Sequence, residues 1–200
     1  MILDDDVVTD EEKIVFANEI VHNTNFPVYH TFTHVKFKYD SFVHILLKQR
    51  LSEDIIPLED RINSSWFPFF NNILKRFCDK HNIEIKELRR GAVNITFSIE
   101  GLKMLDAHVD HTFDHKVFIL YLNDLPFSNN NNSTIIFDQK REDFGLDMVS
   151  NDDPVLSKKL TIQHEVYPKA GRCILFDGNF HAIKNPLPTY LRYICIMSFT

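Results

Sequence analysis

The sequence predicts a mainly β fold, a sandwich or jelly roll of short strands with helices packed outside one sheet. Three observations predict it. From about residue 83 to Thr200, short segments rich in β-branched and aromatic residues follow one another. Polar runs separate them, notably the asparagines around Asn129–Asn132 and the long acidic stretch Gln139–Leu160. Helical periodicity is confined to roughly the first 85 residues.

Taken in order, the first element is a helix after Thr9. Thr9 and Glu12 have capping-box spacing, and Ile14, Val15, Ala17, Ile20 and Val21 recur at helical intervals. A second helix is predicted from about Ser65 to His81, with Phe69, Ile73, Leu74 and Phe77 on one face and Pro68 suited to its first turn. Residues 1–85 therefore read as a largely helical support. Past Asn82 the texture changes. The segments IEIKELRR (Ile83–Arg90) and AVNITFSI (Ala92–Ile99) alternate like strands. KVFILYLN, STIIFD, LTIQHEVY, RCILF and LRYICIMSF follow, making residues 87–200 the β core. Without a repeat, a Pro-rich linker or a composition break, residues 1–200 are expected to form one domain.

Composition narrows the function classes. A chain of 200 residues with 44% hydrophobic content, eighteen Phe and only five Gly can fill a real core. The net charge of −6 offers no general attraction to phosphate backbones, which counts against non-specific nucleic-acid binding. No apolar run is long enough to span a membrane, and the opening MILDDDVVTDEEK is no apolar signal segment. Cys78, Cys173 and Cys195 are odd in number and lack metal-type spacing. A soluble, cytoplasmic protein with reduced thiols is expected.

Ten histidines make histidine alone uninformative. His108-Val109-Asp110 places two ligand types two residues apart, and in a strand such residues share a face. Composition alone yields about one His-x-Asp in this chain, so the pair draws its weight from its surroundings. A 2-His-1-carboxylate face that leaves iron positions open needs one further histidine. His181, just after a predicted strand and turn in AGRCILFDGNFHAI, is the best candidate. A folded-over sheet could carry it to His108 and Asp110. His111 and His115 are rivals that could orient a ligand from behind or serve as polar residues beside a loop. His164 reads as structural. His22, His30, His34, His44 and His81 have no matching partner at a strand offset. The chain lacks a Gly-x-Ser-x-Gly elbow, a phosphate-binding glycine loop, a His-Glu-x-x-His zinc motif and the His-x-His arrangement common in cupins.

At these residues the second half, roughly Glu87–Thr200, resembles the 2-oxoglutarate/Fe(II) oxygenase superfamily, nearest its prolyl-4-hydroxylase-like branch. DAHVD carries the His-x-Asp. HKVFILYLND resembles the strand ending in Tyr-Leu-Asn, and STIIFD the next one. VYPKAGRCILFDGNFHAI resembles the segment leading to the distal histidine, and LRYICIMSF places a basic residue eleven positions beyond it.

The resemblance implies a double-stranded β-helix, a distorted jelly roll. It implies Fe(II) on His108, Asp110 and His181, with 2-oxoglutarate and O2 as cosubstrates and oxidative decarboxylation to succinate and CO2. It assigns the distal carboxylate of 2-oxoglutarate to Arg192, whose guanidinium can fork onto it, and to the hydroxyl of Tyr121. It offers no partner for the 1-carboxylate beyond Asn94 and Thr96, which share one strand face. Proline or another amino-acid side chain in a peptide or protein is the first substrate expectation. A small metabolite, a nucleobase or a non-catalytic binding role are the alternatives. Ser198 stands where the nucleic-acid demethylase branch tends to carry a second arginine, and Arg89 and Arg90 could grip an acidic group but read first as solvated. Two departures stand out. Asn131-Asn132-Ser133-Thr134 replaces the usual Gly-Gly-x-Thr, and Gln139–Leu160 reads as a lid or an insertion.

Overall fold

The protein is described here by a computed structural model covering residues 1–32, 40–49, 56–126 and 131–200. His34 and the Ser128–Asn130 part of the asparagine run lie outside the described residues. Among the described residues, twelve strands form two antiparallel sheets. In chain order they are β1 (Ile2–Asp4), β2 (Tyr29–Phe32), β3 (Asp40–Leu47), β4 (Leu88–Thr96), β5 (Ala107–His108), β6 (Lys116–Tyr121), β7 (Thr134–Lys140), β8 (Met148–Val149), β9 (Ile162–Val166), β10 (Cys173–Asp177), β11 (Asn179–Ile183) and β12 (Arg192–Phe199). The helices are α1 (Asp10–Phe16), α2 (Leu58–Arg61), α3 (Phe67–Lys80) and α4 (Arg141–Phe144), with a π-helical turn at Ala17–Val21.

The major sheet has the order β1-β10-β6-β12-β4-β3-β2 and the minor sheet β8-β5-β11-β7-β9. From β4 onward the chain crosses between the sheets at nearly every step, which is the winding of a double-stranded β-helix. Alternation along the strands builds two cores at once. Ile119, Tyr121, Ile174, Ile194 and Ile196 point inward with Ile136 of the minor sheet. Their neighbours Phe118, Leu120, Cys173, Cys195 and Met197 point outward to the helices.

Helix α3 covers that outer face with Phe70, Ile73, Leu74 and Phe77, and Phe77 meets Phe118 edge-on at 5.3 Å. Fourteen residues make a marginal helix in isolation, so packing holds it. Each Phe or Leu buried this way contributes roughly 1.5–3 kcal/mol. Phe69 lies at the side of the buried face, against Trp66 and Phe70. Helix α1 begins as expected: Thr9 Oγ1 accepts from Glu12 N, and Glu12 returns a carboxylate to Thr9 N. Its inner face differs from the expectation, however. Phe16 and Ile20 are the buried pair, while Ile14 and Val15 are exposed.

Three further differences bear on the site. Among the described residues of the first 85, the helices share the segment with β1, β2 and β3, which extend the major sheet. Ile83–Arg90 and Ala92–Ile99 are not two strands: β4 runs unbroken through Gly91, and residues 83–87 precede it. Gln139–Leu160 is built into the minor sheet and carries elements of its own. It finishes β7, forms α4, adds β8 to the edge of the minor sheet and covers that sheet's outer face with Phe144, Leu156 and Leu160. The three cysteines are buried and unpaired, and no helix among the described residues is long and apolar enough to cross a membrane.

Candidate metal centre and cosubstrate cavity

His108 and His181 meet through sheet register. Strand β11 runs antiparallel to β5 with His181 opposite His108, and on its other side His181 lies opposite Ile136 of β7. His181 follows β10 and its turn, as expected, and sits inside a further strand, β11. Asp110 shares no strand with His108, contrary to expectation, because β5 ends at His108. Val109 N–H still donates to Asp147 O at 3.0 Å, and the chain bends at Asp110. The ligand atoms of His108, Asp110 and His181 all lie within 4.8 Å of one another.

The protonation states suit a divalent cation. His108 Nδ1 lies 3.2 Å from Asp106 O, and His181 Nδ1 lies 3.2 Å from Asn179 O. A carbonyl only accepts, so each Nδ1 is the donor in its pair. Burial, together with the nearby His108, pushes the His181 pKa down to about 4. Burial opposes ionisation of Asp110, yet His181, Arg90 and His108 outweigh it and hold the carboxyl well below the usual range. Asp110 Oδ2 is buried with no hydrogen-bond partner and stands 3.8 Å from His181 Nε2. Two nitrogens and one unpaired carboxylate oxygen are a donor set that fits Fe(II) and leaves positions open. A buried anionic oxygen without a partner is costly unless a cation arrives.

The second half of the site is built on β12. Arg192, Ile194, Ile196 and Ser198 alternate onto the inner face, opposite Thr96, Asn94, Ala92 and Arg90 of β4. Arg192 is fully buried. Its Nη2 donates to Thr134 Oγ1 at 2.6 Å, and its guanidinium lies over the Tyr121 ring at 5.3 Å. Tyr121 OH closes the cluster through Thr134 Oγ1 at 2.6 Å. Arg192 Nε and Nη1 have no partner, and burial lowers its pKa. A buried guanidinium facing a cavity with two unused donors has the chemistry to receive a carboxylate. The cavity that joins it to the candidate metal ligands has a volume of about 810 Å3 and is walled by Ile119, Ile194 and Ile196.

Sequence reading missed several contributors. Thr134 stood out only as part of a departure, yet it holds both Arg192 and Tyr121. The departure itself is explained by Asn132, which takes a positive φ of 70°, a conformation asparagine tolerates, so β7 still begins at Thr134. Arg90 is not a solvated arginine: it lines the cavity with Nη1 3.7 Å from Asp110 Oδ1. Ser198 is buried and binds His111 Nε2 at 2.7 Å. Inner-face alternation along β4 and β12 was the signal that could have found both. His111 and His115 are buried rather than loop-side, and burial, with His115 adding to it, pushes the His111 pKa down to about 4. His44 is structural, bridging Pro27 O and Ser64 Oγ.

No family model and no curated protein matches this sequence. Solved structures match its fold over nearly the whole chain. One is a 2OG-Fe(II) oxygenase family oxidoreductase from Burkholderia pseudomallei, at 12% identity and TM-score 0.60, covering 96% of this chain and 81% of that one. Another is a prolyl hydroxylase from Trichoplax adhaerens in complex with a hypoxia inducible factor peptide fragment, at 12% identity and TM-score 0.59, covering 99% and 82%. Also similar is HygX from Streptomyces hygroscopicus with nickel, 2-oxoglutarate and hygromycin B bound, at 10% identity and TM-score 0.57, covering 99% and 81%. This chain therefore has the double-stranded β-helix fold found in 2-oxoglutarate/Fe(II) oxygenases.

Proposed function

We propose that this protein is a 2-oxoglutarate- and O2-dependent Fe(II) oxygenase, cytoplasmic, with His108, Asp110 and His181 as metal ligands. One observation carries the reading. A single cavity joins a buried His-Asp-His cluster with an unpaired carboxylate oxygen to a buried arginine with two unused donors. A non-catalytic jelly roll has no need of either orphan, each of which costs stability when left empty.

Bound iron supplies O2 activation coupled to decarboxylation of the 2-oxo acid. The residues of this chain do the rest. Arg192 receives the distal carboxylate of 2-oxoglutarate through Nε and Nη1, while Thr134 Oγ1 and the Tyr121 hydroxyl keep the guanidinium in place. Ile119, Ile194 and Ile196 keep the intervening space dry. Asn94 and Thr96, on the same inner face, are the candidates for the 1-carboxylate.

The favoured substrate is proline or another amino-acid side chain in a peptide or protein, in line with the sequence motifs and the peptide-bound relative of this fold. A small-molecule substrate is the second reading, because a relative of equal coverage holds hygromycin B. A nucleic-acid substrate fits less well, as Ser198 is committed to His111. The test is anaerobic addition of Fe(II) and 2-oxoglutarate to the apo protein. A metal-to-ligand charge-transfer absorption is expected, and its absence in the folded protein overturns the reading. Succinate release stimulated by peptides, amino acids, metabolites or oligonucleotides then sorts the substrate classes.

A further inference from the structure

We infer that His111 and Ser198 form a positioning pair that holds Asp110 at the metal centre, an inference that rests on the metal-dependent reading above. Asp110 is the one candidate ligand without a strand to fix it. His108 lies in β5 and His181 in β11, and the register of those strands sets both. Asp110 lies on the 109–115 crossing from the minor to the major sheet, beyond the end of β5. Crossing segments bend more easily than sheet, so something must anchor this one where the donor atoms converge.

The anchor is the residue next to Asp110. His111 Nε2 and Ser198 Oγ are 2.7 Å apart, and both residues are buried. Ser198 is a firm base: it sits in β12 between Arg90 of β4 and Val117 of β6. The His111 ring is held from the side as well. It stacks on Phe113 at 4.8 Å and 18°, and the Arg89 guanidinium lies over Phe113 at 4.9 Å. Arg90, on the same stretch of β4, approaches Asp110 Oδ1 at 3.7 Å and leaves Oδ2 as the unpartnered oxygen. The major sheet thus grips the ligand-bearing segment at two adjacent residues. An apolar side chain at 198 would leave His111 Nε2 buried and unpaired. The ring would leave that position, and Asp110 would move with it.

The experiment uses the full-length apo protein and Co(II) alone, without 2-oxoglutarate, read by calorimetry and by the visible ligand-field spectrum. Ser198→Ala deletes the hydroxyl. His111→Phe keeps an aromatic ring on Phe113 but loses the hydrogen bond. Each is expected to weaken Co(II) binding about 10-fold or more and to alter the spectrum. The double variant should be no worse than either single one, and Ser198→Thr should restore affinity and spectrum. Thermal melts accompany each variant, so that His111→Phe decides the matter should Ser198→Ala fail to fold. Wild-type binding with both single variants unchanged in affinity and spectrum overturns the inference alone. A wild-type chain that binds no Co(II) overturns the metal centre and this inference together.

Discussion

His108 and His181 face each other as antiparallel register partners on β5 and β11, with ring centroids 4.5 Å apart. Each ring is fixed by the carbonyl two residues before it, Asp106 O and Asn179 O. The two Nε2 atoms are therefore aimed by backbone, and Asp110 completes the set from outside the strands. Three predictions concern residues at this pair, its cavity and the segment carrying Asp110, and a fourth concerns acid stability.

Replacing a candidate ligand should remove the metal chemistry without unfolding the protein. His108→Ala and Asp110→Ala are each expected to bring uncoupled succinate formation down to background and to abolish the charge-transfer band. Measured turnover at the wild-type rate in both variants would show that the ligands lie elsewhere.

Arg192→Met should trade cosubstrate binding for stability. Losing charge-assisted hydrogen bonds worth about 1.5–3 kcal/mol raises the dissociation constant for 2-oxoglutarate roughly 10- to 100-fold. The same change removes a buried charge with two unused donors, so the apo protein should melt at a higher temperature. Tyr121→Phe should give a smaller loss of affinity and cost about 1 kcal/mol of stability, since the hydroxyl's bond to Thr134 and its interaction with Arg192 are lost while the ring remains. Calorimetry with 2-oxoglutarate and apo melting curves check both.

Gly178 is required by the ring of His115. A Cβ at residue 178 would lie 2.5 Å from His115 Cε1, and that ring is pinned through Nδ1 to Phe113 O at 2.7 Å. Gly178→Ala is expected to destabilise by about 1–3 kcal/mol and to weaken metal binding through the 109–115 segment. Unfolding curves and Co(II) titration of the variant read the two effects separately.

Acid stability should carry the signature of Asp5. Arg172 holds its carboxylate through both oxygens, at 2.8 and 2.9 Å, and Lys169 joins at 2.9 Å. The Arg172 hydrogen bonds, against an opposing burial effect and with help from Lys169, lower the Asp5 pKa to about 2. A lowered folded-state pKa means stability that is complete above the ordinary value of 3.8 and is lost as pH falls through about 2. Asp5→Asn should thus cost about 1–2 kcal/mol at neutral pH, less in high salt. The gap to wild type should close between pH 4 and pH 2. Denaturant unfolding at several pH values measures it; a constant gap would mean that Asp5 contributes by packing alone.

Much of this architecture is legible in local pattern. Short runs of β-branched and aromatic residues between polar segments locate β6, β7, β9, β10 and β12, and the apolar stripe with Pro68 locates α3. The short strands β5 and β8 escape because two residues carry no period, and β2 and β3 because the helical signal on either side dominates that region. Arg192 is legible from its spacing to His181. Arg90 and Ser198 are not, because an arginine and a serine in a strand look like solvent-facing residues until the opposite sheet covers them.

By itself the sequence determined which residues could do the chemistry: one His-x-Asp, a later histidine after an apolar run, and an arginine eleven positions further on. It also determined that the second half would be short strands, since runs of β-branched and aromatic residues bounded by polar segments are a local property. Only the tertiary structure decided that His181, and not His111 or His115, meets His108. It alone put Asp110 off the strand and set Thr134 between Tyr121 and Arg192. The reason is physical. Register and sheet-to-sheet packing are set by hydrogen bonds and contacts between residues far apart in the chain, and a shift of one position would turn His181 from the cavity to the opposite face.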